Sequence, residues 1–292
     1  MWPIILHIGP LTIYSFGAMV AIACLTGSWL LEREMTRRGL PGELAVSMAI
    51  WATFIGFVTS SVWYYVQQHF WELLAHPLDT LLASVAALGD RFATADGNLL
   101  QRLGAMLGGL GSGFVWYGGL IGGTLTVTWF IYRYHLPWLV TVDCAAPALA
   151  LAHAIGRVGC LLSGDGDWGT VTTVPWAMAY PDAIIGWPYP PGVRVHPTPI
   201  YEMIAYTGVF AILWSMRKRP HPDGTIFWWY LVLAGAARFV VEFFRINPPA
   251  GLGLSAAQWF SLLVIAIGGW RLWAARRSES VRVEPLVAPA RR

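Results

Sequence analysis

Long apolar runs, separated by short polar stretches, set the frame of this chain. A membrane-spanning helix needs about 20 mostly apolar residues. Seven segments come close to that length: 11–31, 44–67, 113–132, 137–156, 199–216, 225–244 and 254–273. Two connections between them are long. Residues 68–112 include WELLAHPLDTLLASVAALGDRF, apolar at helical spacing with few charges, which predicts a helix lying along the membrane interface. Residues 157–198 are rich in glycine and proline, which predicts an irregular but rigid loop.

Composition agrees with the pattern. Of 292 residues, 56% are hydrophobic and only 12% charged, against about 25% charged in ordinary soluble domains. The seventeen tryptophans suit a headgroup boundary. Arg33, Arg37 and Arg38 follow the first run, Arg133 the third, Arg217, Lys218 and Arg219 the fifth, and six arginines from Arg271 onwards the seventh. Basic residues favour the cytoplasmic side, so the N-terminus is expected outside and the C-terminus inside. The expected fold class is an all-α integral membrane protein of about seven transmembrane helices, with an outer-side interfacial segment (68–112) and an outer-side cap loop (157–198). Residues 1–274 read as a single membrane-embedded domain and 275–292 as a basic, solvated cytoplasmic tail.

MWPIILHIGP lacks a basic n-region, and no small-residue cleavage site follows it, so the first run reads as a retained helix. Cys24, Cys144 and Cys160 form neither a disulfide framework nor a metal-ligand spacing. The net charge of +3 follows topology, so no nucleic-acid partner is expected. No metal and no cofactor are expected either, and a serine nucleophile elbow and a Walker loop are absent from the sequence.

Four outer-side stretches carry polar residues that a simple anchor would not need. GRVGCLLSGDGDWG sets Arg157 beside Asp165, Asp167 and Gly169. Arg157 is either a boundary arginine snorkelling to water or an anion site, where guanidinium binds phosphate bidentately and glycines admit the backbone. In ARFVVEFFR, Arg238, Glu242 and Arg245 share one helical face; they form a structural ion pair or line a polar interior. WYGGLIGG places Tyr117 before Gly118 and Gly119, a spacing that also serves close helix packing. VHPTPIYE offers His196, Tyr201 and Glu202 at a helix start, with Thr198 a plausible N-cap; Glu202 either complements the helix dipole or serves the site. Arginines converging at a membrane interface imply a phosphate-bearing ligand, and the abundant one there is a phospholipid headgroup. A transporter should carry polar residues through the full membrane depth; here they gather towards one side.

These stretches resemble the prolipoprotein diacylglyceryl transferase family. GRVGCLLSGDGDWG is similar to its signature, IGPLTIYSFG to its N-terminal stretch, WYGGLIGG to its His/Tyr-Gly-Gly-Leu-Ile-Gly motif, VHPTPIYE to its His-Pro-(Ser/Thr)-x-x-Tyr-Glu, and RFVVEFFR to its sixth-helix motif. The resemblance implies transfer of the sn-1,2-diacylglyceryl group of phosphatidylglycerol to the lipobox cysteine of a prolipoprotein, with release of glycerol phosphate. It implies a monomeric enzyme of the bacterial cytoplasmic (inner) membrane, working on membrane lipid and prolipoprotein signal peptides. Arg157 and Arg238 would hold the lipid phosphate, and Tyr117, where some members have histidine, would orient the thiol or act as base. Gly118, Gly119, Asp165, Gly169, His196, Tyr201, Glu202, Glu242 and Arg245 would shape the headgroup pocket and orient the arginines. Cys160 reads as packing, because the attacking thiol belongs to the substrate. Two departures stand out: TSSVWYY puts Ser60, Ser61 and Val62 where a Gly-Gly-Arg pattern is expected, and Phe16 replaces a tyrosine. The alternative is a catalytically silent paralogue that binds phospholipid or lipoprotein precursors.

Overall fold

The apolar runs fold as helices. The computed structural model describes residues 1–8, 11–68, 70–76, 79 and 116–282. Its long helices are α1 (Ser15–Arg37), α2 (Leu44–Gln68), α4 (Trp116–Arg133), α5 (Trp138–Ser163), α6 (Thr198–Met216), α7 (Thr225–Glu242) and α8 (Ala256–Arg282), with a short α3 (Phe70–Ala75) after α2. Four of them, α1, α2, α5 and α7, are long and apolar enough to cross a membrane by length and composition. This is a membrane protein built on several apolar helices. The chain divides into two compact units, residues 1–42 with 137–292, and residues 43–136.

Three boundaries differ from expectation. Residues 11–14 pair as a strand, β2 (Leu11–Tyr14), against β1 (Ile4–Ile8), and α1 begins only at Ser15, whose N–H donates to Pro3 O at 2.9 Å. Branched and aromatic side chains in LTIY favour that extended start. Helix α5 does not stop at residue 156 but continues to Ser163, two turns beyond the expected end. It closes at Gly164 in the left-handed conformation, whose N–H bonds Cys160 O. Helix α8 runs on to Arg282, into the stretch expected as tail. Of the expected interfacial helix, α3 lies within 68–112; residues 80–112 lie outside the described residues.

In the larger unit α1 packs on α5, α5 on α6 and α7, and α7 on α8. Small residues permit this closeness: a Cβ on Gly27 would touch Ala152 Cβ at 3.5 Å, and one on Gly159 would meet Met19 Cβ at 3.0 Å. Ala146 and Ala150 of α5 pack with Val209 and Leu213 of α6 and Ile226 of α7. At one end of this bundle, buried acids tie the helices together. Asp143 of α5 accepts the N–H groups of Gly224 (2.7 Å) and Phe227 (2.8 Å), capping α7 from a neighbouring helix, and pairs with Arg38 at 3.4 Å. Glu34 of α1 pairs with Arg37 at 2.7 Å and with Arg217, past the end of α6, at 3.0 Å.

In the smaller unit α2 packs on α4 through small residues, as the glycine spacing allows. A Cβ on Gly118 would lie 2.5 Å from Thr59 O and 2.7 Å from Ser60 Cα. The Thr59 hydroxyl donates to Gly118 O at 2.7 Å, and Ser60 and Ser61 are buried. The TSSV stretch that departs from the family pattern thus supplies a close helix contact. Gly118→Ala is expected to cost about 1–3 kcal/mol through overpacking. Gly119→Ala, where a Cβ would sit 3.6 Å from Gly56 O, should be tolerated. Unfolding midpoints of the two variants in detergent check this; equal midpoints would contradict it.

Candidate active site

At the other end of the larger unit, three arginines converge on one buried carboxylate. Arg157 lies two turns before the end of α5, Arg238 in the last turns of α7, and Arg245 just beyond α7. Glu202, on the second turn of α6, is fully buried. Its Oε2 lies 2.5 Å from Arg157 Nε, and its Oε1 lies 2.5 Å from Arg238 Nη1 and 3.6 Å from Arg245 Nη1. Glu202 is therefore no dipole-complementing first-turn residue; it is the centre of the cluster. A charge so placed is tolerable only when fully paired.

Two further acids complete the balance. Asp167, from the loop after α5, bonds Arg157 Nη1 and takes Arg245 Nη2 at 2.5 Å. Glu242 lies 2.9 Å from Arg238 Nη2 and accepts Asn247 Nδ2 (2.6 Å) and Ser255 Oγ (2.7 Å) through Oε1. Arg245 lies past the end of α7, so it reaches the cluster from a turn and not from the helical face it was expected to share. Three guanidinium groups thus meet three carboxylates, Asp167, Glu202 and Glu242. Arg157 itself bonds Asp167 through Nη1 and faces Glu202 through Nε, with 14% of its side chain exposed.

The loop is tied down where it meets the cluster. Gly169 N–H donates to His196 O, Thr170 N–H to Phe244 O and His196 N–H to Thr170 O, at 2.8, 2.8 and 3.0 Å. A Cβ on Gly169 would collide with Phe244 O and meet His196 Cβ at 2.9 Å, so only glycine fits. Thr198 is not the N-cap of α6: Pro197 holds that position, and the Thr198 hydroxyl instead donates to Asp167 O. Within the loop Trp168, Tyr180 and Val195 form a small buried core. Tyr201 and His196 stand beside the cluster, with Tyr201 OH 2.9 Å from His196 Nδ1 and accepting Trp176 Nε1 at 2.7 Å.

Asp165 supports the loop, accepting Asp167 N–H at 3.3 Å. Cys160, Asp165 and Asp167 bring potential metal-ligand atoms within 4.8 Å of one another. The positive charge among them comes from Arg157, whose Nη1 reaches Cys160 Sγ at 3.5 Å as well as Asp167. Tyr117, Gly118 and Gly119 belong to the smaller unit, at the start of α4. Sequence reasoning missed His153, one turn before Arg157, and gave Asp167 no role. The spacing of His153 and Arg157 on one helical face was the available signal for the first.

The two loop acids titrate in opposite senses. Burial disfavours ionised Asp167, but Arg157 and Arg245 outweigh it and hold its carboxyl below the usual range. Its stabilising effect is present above the unfolded value of about 3.9 and lost as pH falls through the lower folded value. Asp165 is pushed up, first by burial and then by the Asp167 charge. Its contribution is present below the unfolded value and lost as pH rises through the folded one. Asp165→Asn should therefore raise the unfolding midpoint at neutral pH. Asp167→Asn should lower it and flatten its decline on acidification. Midpoints followed from neutral pH down to about pH 3, below the unfolded carboxylate value, test this; parallel curves for the two variants would refute it.

Comparison with known proteins assigns the family. The model of the family described as Prolipoprotein diacylglyceryl transferase matches residues 3–274. Relatives named phosphatidylglycerol–prolipoprotein diacylglyceryl transferase are similar along nearly their whole length. The Geobacillus kaustophilus protein is 31% identical over 279 residues, covering 94% of this chain and 93% of its own. The Pseudomonas paraeruginosa protein is 30% identical over 287 residues, covering 94% of each. The Clostridium tetani protein is 29% identical over 270 residues, covering 92% of this chain and 95% of its own. With five motifs in order and a family match over nearly all its length, the chain belongs to the prolipoprotein diacylglyceryl transferase family, a family of transferases.

Proposed function

We propose that this chain transfers the diacylglyceryl group of phosphatidylglycerol to the lipobox cysteine of prolipoproteins. The relatives carry that activity in their names, and the silent-paralogue alternative is not favoured. The observation that carries the reading at residue level is the arginine cluster around Glu202. In the reaction the substrate thiol gives up its proton and sulfur bonds to the glyceryl carbon. The carbon–oxygen bond breaks, and the phosphate oxygen leaves with the electron pair as glycerol phosphate. Negative charge grows on that oxygen, so guanidinium groups already fixed in place favour the transition state over the ground state.

In this reading Arg157 grips the lipid phosphate and Arg238 is the second phosphate ligand. Glu202, Glu242, Asp165, Gly169 and Arg245 orient them, and His196 and Tyr201 border the headgroup pocket. On the resemblance alone, Tyr117 orients the thiol, and Gly118 and Gly119 shape the pocket. Residues 1–274 act as one membrane domain of seven spans, monomeric, in the bacterial cytoplasmic membrane. The skew of basic residues supports an outside N-terminus, an inside C-terminus and a site towards the outer side.

The test uses protein in phosphatidylglycerol liposomes with a lipobox peptide, following glycerol phosphate release and the peptide's gain in mass. Both signals should appear, and a peptide with serine for cysteine should be inert. Arg157→Ala should lose about 10²–10³ in rate while staying folded and inserted. Near-normal turnover in that variant would remove Arg157 from the site, and lipid binding without transfer would remove the activity.

A further inference from the structure

His153 belongs to this cluster, and the reaction as written does not use it. It lies one turn before Arg157 on α5, and its ring stacks on Tyr206 of α6, centroids 3.7 Å apart and planes 16° from parallel. The stack fixes the ring plane and directs Nε2 into the cluster. Arg157 Nε–H donates to His153 Nε2 at 3.3 Å, while Glu202 Oε2 lies 3.5 Å from the same nitrogen. The charged groups facing the ring are Arg157 from α5, Glu202 from α6 and Arg238 from α7.

Guanidinium nitrogens only donate. The bond from Arg157 therefore requires a lone pair on Nε2, with the imidazole proton on Nδ1. A proton on Nε2 would turn it into a donor to Glu202, and two N–H groups would then oppose each other across 3.3 Å. We propose that neutral His153, with its lone pair on Nε2, is a positioning residue for Arg157. It acts with Glu202: the carboxylate supplies the charge partner, and the imidazole accepts the Nε–H itself. Together with Asp167 on Nη1, they fix the rotation of the guanidinium plane that is to meet the phosphate.

This rests on the phosphate-binding role given to Arg157 above. Two substitutions separate the lone pair from the ring. His153→Phe keeps an aromatic ring on Tyr206 and removes the acceptor. His153→Gln removes the ring and returns a carbonyl acceptor close to the Nε2 position. Both are made in the full chain, in liposomes of phosphatidylglycerol, with the lipobox peptide. His153→Phe is expected to lose about 100-fold, the cost of a misplacement near 1 Å, with kcat falling more than KM rises. His153→Gln should stay close to wild type. If the Phe variant is active and the Gln variant impaired, the residue only packs, and the proposal is wrong. Equal loss in both, or loss in neither, overturns it as well.

A second readout does not need turnover. Lipid bound to the folded state raises the unfolding midpoint, so the rise in phosphatidylglycerol micelles over zwitterionic micelles reports the grip on the headgroup. The rise should persist in His153→Gln and shrink in His153→Phe. If wild type shows the rise but no transfer, the proposed activity fails, and the ranking of the two variants still decides the role of His153. An equal rise in both variants rejects it.

Discussion

A carboxylate buried inside a membrane protein must be matched by positive charge, and in this chain that requirement organises one whole end of the bundle. Glu202 is fully buried, with Arg157, Arg238 and Arg245 drawn to it from α5, α7 and the turn beyond α7. Each arginine in turn needs more acceptors than one carboxylate offers. Asp167 and Glu242 supply them and are held by the loop and by Ser255 and Asn247. The loop can bring Asp167 in only because Gly169 lets it press against Phe244 and His196. Remove the central carboxylate, and three cations are left competing for two acids.

The same logic recurs at the opposite end with a different purpose. Asp143 and Glu34 are buried too, but their partners are a helix N-terminus and arginines at helix ends. Those contacts fix where α1, α5, α6 and α7 begin and stop relative to one another. Between the two ends lies an apolar, alanine-rich middle.

Much of this was legible in the sequence, and the illegible part has a common cause. Apolar runs located the helices, and the positions of Arg157, Arg238, Glu202 and Glu242 near helix ends located the cluster. The end of α5 was misjudged because an arginine after an apolar run looks like the arrival of water. Its partners stand far along the chain, Glu202 being 45 residues on, and no local pattern announces them. With those partners in place, Arg157 can sit inside a continuing helix. His153 and Asp143 were passed over for a related reason: a single polar residue among apolar ones carries no local sign of what it faces. Strand β2 was absorbed into the first helix because branched and aromatic residues serve equally well in a membrane span. Conversely, the small-residue spacing of WYGGLIGG carried its packing role openly, since that role depends on local size alone.

The extension of α5 past Arg157 has a consequence for selectivity between acceptors. The last residue of the helix lies six positions beyond Arg157, a rise of about 9 Å. In the proposed reading, a phosphate held at Arg157 lies about two helical turns short of the end of α5. The bond to be broken adjoins that phosphate, so it shares the same depth. Water is the most abundant nucleophile at any membrane surface, and its attack on the same bond would be hydrolysis in place of transfer. An acceptor thiol carried on a membrane-inserted peptide approaches from within the bilayer instead. In the proposed reading, depth adds to the greater nucleophilicity of the thiolate in favouring transfer over hydrolysis.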